Sequence, residues 1–360
     1  MSQRGENIHK RKDGRWEGRF RTGTEKEYRS VYGKNLKEVR KKIYEKSTVD
    51  AIAVDWLAET KRTRKYSTYV KYESIYKKHI REHIGSMAVG QVDDEVCLRL
   101  LQQEHGKKGG EAGGLSPSTV SSIRSVLLQI LRHGGNEIRI NSRKDWRILS
   151  QNTIKPRKIS VFTAAEQAAL LAYLERNTDS CRLGILVCLM TGIRLGEICA
   201  LETRDIQLEN KRIIIRRTVQ RIRTAGGESR TALCITPPKT RHSEREIPIC
   251  TALEPFLREH MGHERYLVNG QKVMEPRTYQ YMFARYLEEI GLERKNFHTL
   301  RHTFATNCID SGMDAKCLSE ILGHSDVNIT MNRYVHPTMA MKQKQMDFLA
   351  YYCGQILENI

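Results

Sequence analysis

No run of eighteen apolar residues occurs in this chain, the longest candidate being CRLGILVCLM, so no transmembrane span is expected. The N-terminus MSQRGENIHKRKDGRW lacks the apolar stretch of a signal peptide, which argues against secretion and for the cytoplasm. None of the nine cysteines forms a C-x-x-C pair, and most sit in apolar runs such as LGILVCLM and EICAL. They read as small core residues in a reducing compartment, with no zinc site. Carboxylates are not clustered as a metal would need, and neither a Gly-rich phosphate cradle nor a Walker motif is present, so no metal, cofactor or ATP is expected. Repeats of 20 to 50 residues and low-complexity tracts are also missing. Negative charge is in short supply: 42 Asp and Glu face 61 Lys and Arg, a net +19. Such an excess suits a polyanionic partner. With 360 residues, 39% of them apolar, the chain can build two or three domains with real cores.

The pattern along the chain predicts a mainly α protein with small β-sheets. Residues 1–48 hold fifteen Lys and Arg against seven Asp and Glu. GRWEGRFRT and KEYRSVYG read as short strands and NLKEVRKKIYEK as a helix. Trp16, Phe20, Tyr28 and Tyr32 interleave with Arg15, Arg19, Arg21 and Arg29, which predicts a basic sheet face over an apolar one, of a kind that can enter a DNA major groove. Residues 49–140 read as helices: VDAIAVDWLAET, STYVKYESIYKKHIREHIG, DDEVCLRLLQQEH and SPSTVSSIRSVLLQILRHGG have helical apolar spacing, with Ser, Asp or Ser-Pro at starts and Gly at ends. There Lys71, Lys77 and Lys78 are predicted on an outer face, with Tyr69, Tyr72 and Tyr76 inside. Residues 141–160 lack periodicity and carry six basic residues against one Asp, as an interdomain linker would. Residues 161–345 are predicted mainly helical, opening on a Thr163/Glu166 capping box and interrupted by strands at KRIIIRRTVQRI and ALCITPPKTRHSEREIPI. In the tail, 346–360, Met346, Phe348, Leu349, Tyr352 and Ile356 can share one helical face.

Chemistry concentrates in three segments: Arg194 and Glu197 in TGIRLGEICAL, His298 and Arg301 in FHTLRHTFAT, and His324 and Tyr334 in LGHSDVNITMNRYVH. Taken singly, each has a bland reading, as a surface polar cluster or an exposed salt bridge. Together they provide two planar cations that match the oxygens of a phosphodiester, proton carriers and a phenol nucleophile. His302, one residue past Arg301, reads as structural. Lys239 falls in the turn between the strands ALCIT and REIPI.

An Arg after a Thr-Gly break, a turn Lys, His-x-x-Arg, Gly-His and then a Tyr ten residues on form a series that resembles the tyrosine recombinase (phage integrase) family. The resemblance is strong over about residues 158–345 and elsewhere rests on layout. It implies Arg194 and Arg301 as the arginine pair, Glu197 as an accompanying acid, Lys239 as general acid, His298 and His324 as the two histidines, and Tyr334 as nucleophile. It further implies an arm-type DNA-binding domain at 1–48, a core-binding domain at 49–140, a catalytic domain at 161–345 and a tail that docks onto a neighbouring subunit. The partners so implied are double-stranded DNA at core crossover and arm-type sites, three further copies in a tetramer, and accessory bending or excision proteins. The activity would be integration and excision of a phage or conjugative transposon through a 3′-phosphotyrosine and a Holliday junction. A type IB topoisomerase-like enzyme and a non-catalytic DNA-binding regulator are the alternatives.

Overall fold

The computed structural model describes residues 8–21, 28–106, 115–134, 159–176, 178–223, 231–237, 244–335 and, in the tail, 339, 342–343, 346–347 and 349–350. The chain forms two compact units, residues 1–157 and 158–360.

The first unit opens with an antiparallel sheet in chain order, β1 (Ile8–Lys10), β2 (Trp16–Arg21) and β3 (Tyr28–Gly33), followed by α1 (Leu36–Lys46). Side chains alternate along a strand, so register decides which residues share a face. The pairs Trp16↔Gly33, Gly18↔Val31 and Phe20↔Arg29 lie on the α1 side, where Phe20, Val31 and Val39 are buried with Trp16 and Ile43 against them. Glu17↔Tyr32 and Arg19↔Ser30 lie on the other face. The predicted separation of faces is therefore corrected: Tyr28 and Tyr32 are exposed beside Arg19, while Arg29 belongs to the α1 side.

A helical bundle follows, with α2 (Val49–Thr63), α3 (Tyr66–Ile75), α4 (Arg81–Ile84), α5 (Asp94–Gly106) and α6 (Pro117–His133). Pro117 and the capping Ser116 start α6 as their order predicts. Its core holds Trp56, Tyr76, Ile80, Leu101, Ile123 and Leu127. The stretch STYVKYESIYKKHIREHIG departs from one continuous helix at a π turn, Tyr76–Ile80, where Tyr76 donates to the buried Asp50 at 2.5 Å.

In the second unit the Thr163/Glu166 capping box opens α7 (Ala164–Arg176): Thr163 N–H donates to Glu166 at 2.7 Å and Glu166 N–H to Thr163 at 3.3 Å. Next comes α8 (Ser180–Thr191), whose sequence SCRLGILVCLMT is apolar nearly all round and accordingly lies in the core. The expected β interruption is two structures. Strands β4 (Ile206–Gln207), β5 (Arg212–Ile215) and β8 (Arg245–Pro248) form one sheet, and β6 (Thr218–Arg223) with β7 (Thr231–Thr236) forms a separate hairpin. Short helix α9 (Leu195–Ile198) precedes the strands, and α10 (Glu254–His260), α11 (Pro276–Glu289), α12 (His298–Asp310), α13 (Ala315–Leu322) and α14 (Val327–Tyr334) follow them. Phe283, Phe297 and Leu300 join α8 in the main core, while Ala305, Cys308, Leu318, Leu322 and Tyr334 make a smaller apolar cluster. Cysteines among the described residues are free thiols. No described helix is long and apolar enough to cross a membrane.

Candidate active site

Helix α8 stops at Gly192, whose φ of 67° places it in the left-handed region. A Cβ there would lie 2.6 Å from Phe304 and 2.8 Å from Leu322, so only glycine fits both the angle and the space. The chain then turns, buries Ile193 and caps α9 with Arg194. Three residues on, Glu197 folds back, accepting from Arg194 N–H at 3.1 Å and from Arg194 Nη1 at 2.9 Å.

Glu197 is buried, which removes the reading of an exposed salt bridge. It is also gripped by Arg245 of β8, through Nη2 at 2.8 Å and Nη1 at 3.2 Å. Burial would raise its pKa, but Arg245 and then Arg194 outweigh that and hold it below the usual carboxylate value. The motifs do not include Arg245, although the alternation of REIP puts it on the buried face with Ile247. A cation facing inward on a strand calls for a buried acid.

Arg301 of α12 is 2% exposed, yet its charge is well met. Nη1 donates to Gly192 O at 2.7 Å, and Nη2 donates to Leu322 O at 2.8 Å and to His324 Nε2 at 2.9 Å. Arg194 Nη2 donates to Gly323 O at 2.9 Å. Both guanidiniums thus sit at the carbonyl ends of α8 and α13, where spare acceptors and the helix dipole favour a cation. Burial, then Arg194, pushes Arg301 down to about 9, still a cation at neutral pH.

The tautomer of His324 follows from its partners. An arginine can only donate, so Nε2 accepts and the ring proton is on Nδ1, donated to Thr330 Oγ1 at 2.8 Å. Burial, followed by Arg301 and Arg194, brings His324 to about 3 and keeps it neutral. Both nitrogens are therefore engaged inside the protein in this arrangement.

Tyr334 ends α14, buried, with its oxygen 2.7 Å from Nδ1 of His302. Burial raises the phenol's pKa, against the pull of Arg301 and Arg333. The histidine that meets the phenol is thus His302, read from the sequence as structural, rather than His298. His298 is exposed at the start of α12 and packs its ring edge-on against His302, with centroids 4.7 Å apart. Loss of water on its inner side, then His302 and Arg301, lowers its pKa. The i,i+4 spacing in HTLRH already puts His298 and His302 on one helical face.

Arg194, Glu197, Arg301 and His324 form one cluster with Arg245, and Tyr334 lies in the field of Arg301. Lys239 lies outside the described residues, between β7 and β8. On the N-terminal sheet Arg19 is exposed and Arg15 is paired with Asp13 at 2.8 Å. Arg21 is in register with Tyr28. Glu17, near the middle of the outer face, accepts from Arg11 and Ser30, each at 3.0 Å. The face expected to be basic is thereby partly neutralised from within. In the bundle Lys71, Lys77 and Lys78 are exposed, Lys77 pairing with Glu73 at 3.0 Å.

Residues 160–341 match the model of the phage integrase family, and residues 50–103 match the family's N-terminal SAM-like domain. The chain belongs to the phage integrase family. This integrase is 26% identical to a XerC-like tyrosine recombinase of Caldanaerobacter subterraneus, over 89% of this chain and 91% of the relative. It is 26% identical to the transposase of transposon Tn916 from Enterococcus faecalis, over 52% of this chain and 50% of that protein. Its fold is similar to that of the Tn1549 transposon integrase in complex with transposon right end DNA, with a TM-score of 0.66, 22% identity and coverage of 84% and 99%. A lambda integrase tetramer bound to a Holliday junction gives 0.52 at 15% identity, with coverage of 92% and 98%. As a tyrosine recombinase it is an enzyme that cleaves and rejoins DNA in site-specific recombination.

Proposed function

We propose that this integrase inserts and excises a mobile element, cutting one strand of each DNA partner through a 3′-phosphotyrosine and exchanging strands through a Holliday junction. The observation that carries this reading is a buried phenol, hydrogen-bonded to a histidine and lying in the field of Arg301 and Arg194, next to a cluster in which Arg194 and Arg245 share the carboxylate of Glu197. That surplus of positive charge is matched by a phosphodiester whose charge grows in the transition state. Arg194 and Arg301 are the phosphate clamps, held at their back by helix-end carbonyls. Lys239 is assigned as the acid for the leaving 5′ oxygen, on the motif alone. His298 and His324 line the phosphate, the latter once its ring is freed from Arg301.

Residues 1–48 read arm-type DNA, 49–140 grip the core site, 141–160 link the two units, and 161–345 catalyse. The tail, 346–360, docks onto the next subunit of a tetramer, a role that suits the exposed Met346 and Leu349. Accessory bending or excision proteins are further partners in this reading. The deciding test is Tyr334→Phe on a nicked suicide substrate, which should bind as the native protein does and form no covalent adduct. Persistent adducts would sink the assignment, and relaxation of supercoils without recombination of two sites would favour a topoisomerase.

A further inference from the structure

His302 has no evident task in the sequence motifs, yet its Nδ1 is 2.7 Å from the oxygen of Tyr334. We propose that His302 is the base that takes the phenolic proton of Tyr334 during cleavage and returns it on rejoining. The proposal rests on Tyr334 being the nucleophile.

The need for a base follows from the phenol itself. Even at an ordinary pKa near 10, about one tyrosine in a thousand is ionised at pH 7. Burial makes the fraction smaller here. The proton must therefore leave during the attack, to a group already in contact with it. His302 meets that demand, because burial and then Arg333 and Arg301 bring it to about 4, so it is neutral and one ring nitrogen carries a lone pair. With the ring proton on Nε2, Nδ1 accepts from the phenol. His298, edge-on to His302 and exposed, is then a neighbour of the base rather than the base.

The step balances. As the bond from the Tyr334 oxygen to phosphorus forms, the phenolic proton passes to Nδ1 of His302. The P–O5′ pair goes to the leaving oxygen, which is protonated by a separate acid, the part assigned to Lys239. Rejoining reverses each transfer. The cations acting on His302 are Arg333 of α14 and Arg301 of its own helix, and the uncharged rings of His298 and Tyr334 pack against it, so an imidazolium is disfavoured until a phosphodiester brings negative charge. Activation of the nucleophile is thus tied to the presence of DNA.

The test measures single-turnover adduct formation for the native chain, His302→Gln, His302→Ala and Tyr334→Phe. Each is run on a normal nicked substrate and on one with a bridging 5′-phosphorothiolate, whose thiolate leaves without an acid. His302→Gln should be slower by about 10² to 10⁴-fold on both substrates, the usual value of a positioned base, with DNA binding unchanged. On the phosphorothiolate its rate should climb about tenfold per pH unit from pH 7 to 9, as expected for a phenol that ionises only above that range and without help, while the native rate stays flat. Imidazole should restore part of the His302→Ala rate, which a merely packed ring would not allow. The proposal is overturned by a His302→Gln rate equal to or above native, or by rescue on the phosphorothiolate, which would place the proton at the leaving group. Adducts from Tyr334→Phe would sink the nucleophile assignment instead, a separate failure.

Discussion

Replacing Glu197 by glutamine keeps the shape of the cluster and removes its one negative charge. Arg245, at 8% exposed, cannot move its guanidinium into water, whereas the Arg194 side chain is 32% exposed and can. The cost therefore falls mainly on the Arg245 pair. Breaking a buried ion pair by removing one partner costs about 3 to 5 kcal/mol, and the freedom of Arg194 argues for the lower end, about 3 kcal/mol. In a unit of about 200 residues each kcal/mol lowers the melting point by roughly 2 to 4 °C. The C-terminal transition of Glu197→Gln should then fall by roughly 6 to 12 °C in scanning calorimetry of the whole chain. Adding Arg245→Met should recover part of the loss, since the stranded cation goes with it. Acidification gives a second readout. Because Glu197 is held below its usual value of 4.5, its contribution is complete above that pH and drains away as pH drops through the folded value. Native and variant melting points should converge in that range. An unshifted melting point, with no recovery in the double variant, would refute charge compensation as the role of Glu197.

Arg301→Lys should cut cleavage by about 10² to 10³ while DNA binding holds, since a lysine keeps the charge but not the fork. It also strands one of the carbonyls of Gly192 and Leu322, at about 1 to 3 kcal/mol, so a melting point below native should accompany the lost rate. Full turnover by this variant would end the clamp assignment. Deleting residues 1–48 should spare binding to the core site and lower the log–log salt slope by about 0.9 for each phosphate no longer neutralised. The fall should be smaller than the number of basic residues suggests, because Glu17 and Asp13 already occupy Arg11 and Arg15. An unchanged slope would mean that the segment touches no DNA.

The helices were legible because apolar spacing and caps are local: Ser116 with Pro117, and Thr163 with Glu166, announce their helices within a few residues. The gathering of Arg194, Arg301, His324 and Tyr334 could be read from motif order, since nothing local in the chain reports a contact between Arg194 and Gly323. Arg245 and His302 are not legible locally, because the partner of each lies on another element, Glu197 for the one and Tyr334 for the other. The make-up of the sheet face is hidden in the sequence for a related reason. Alternation fixes which residues of one strand share a side, but the register with the next strand put Tyr32 opposite Glu17 and sent Arg29 to the other face.

Arg301 reaches back across 109 residues to Gly192, and Arg194 reaches forward across 129 to Gly323. Contacts of such separation form only after the intervening chain has collapsed, because closing a long loop costs entropy before any bond repays it. The set of cations around the phenol is therefore among the last features of the second unit to assemble, after the helices that present it have formed from local contacts.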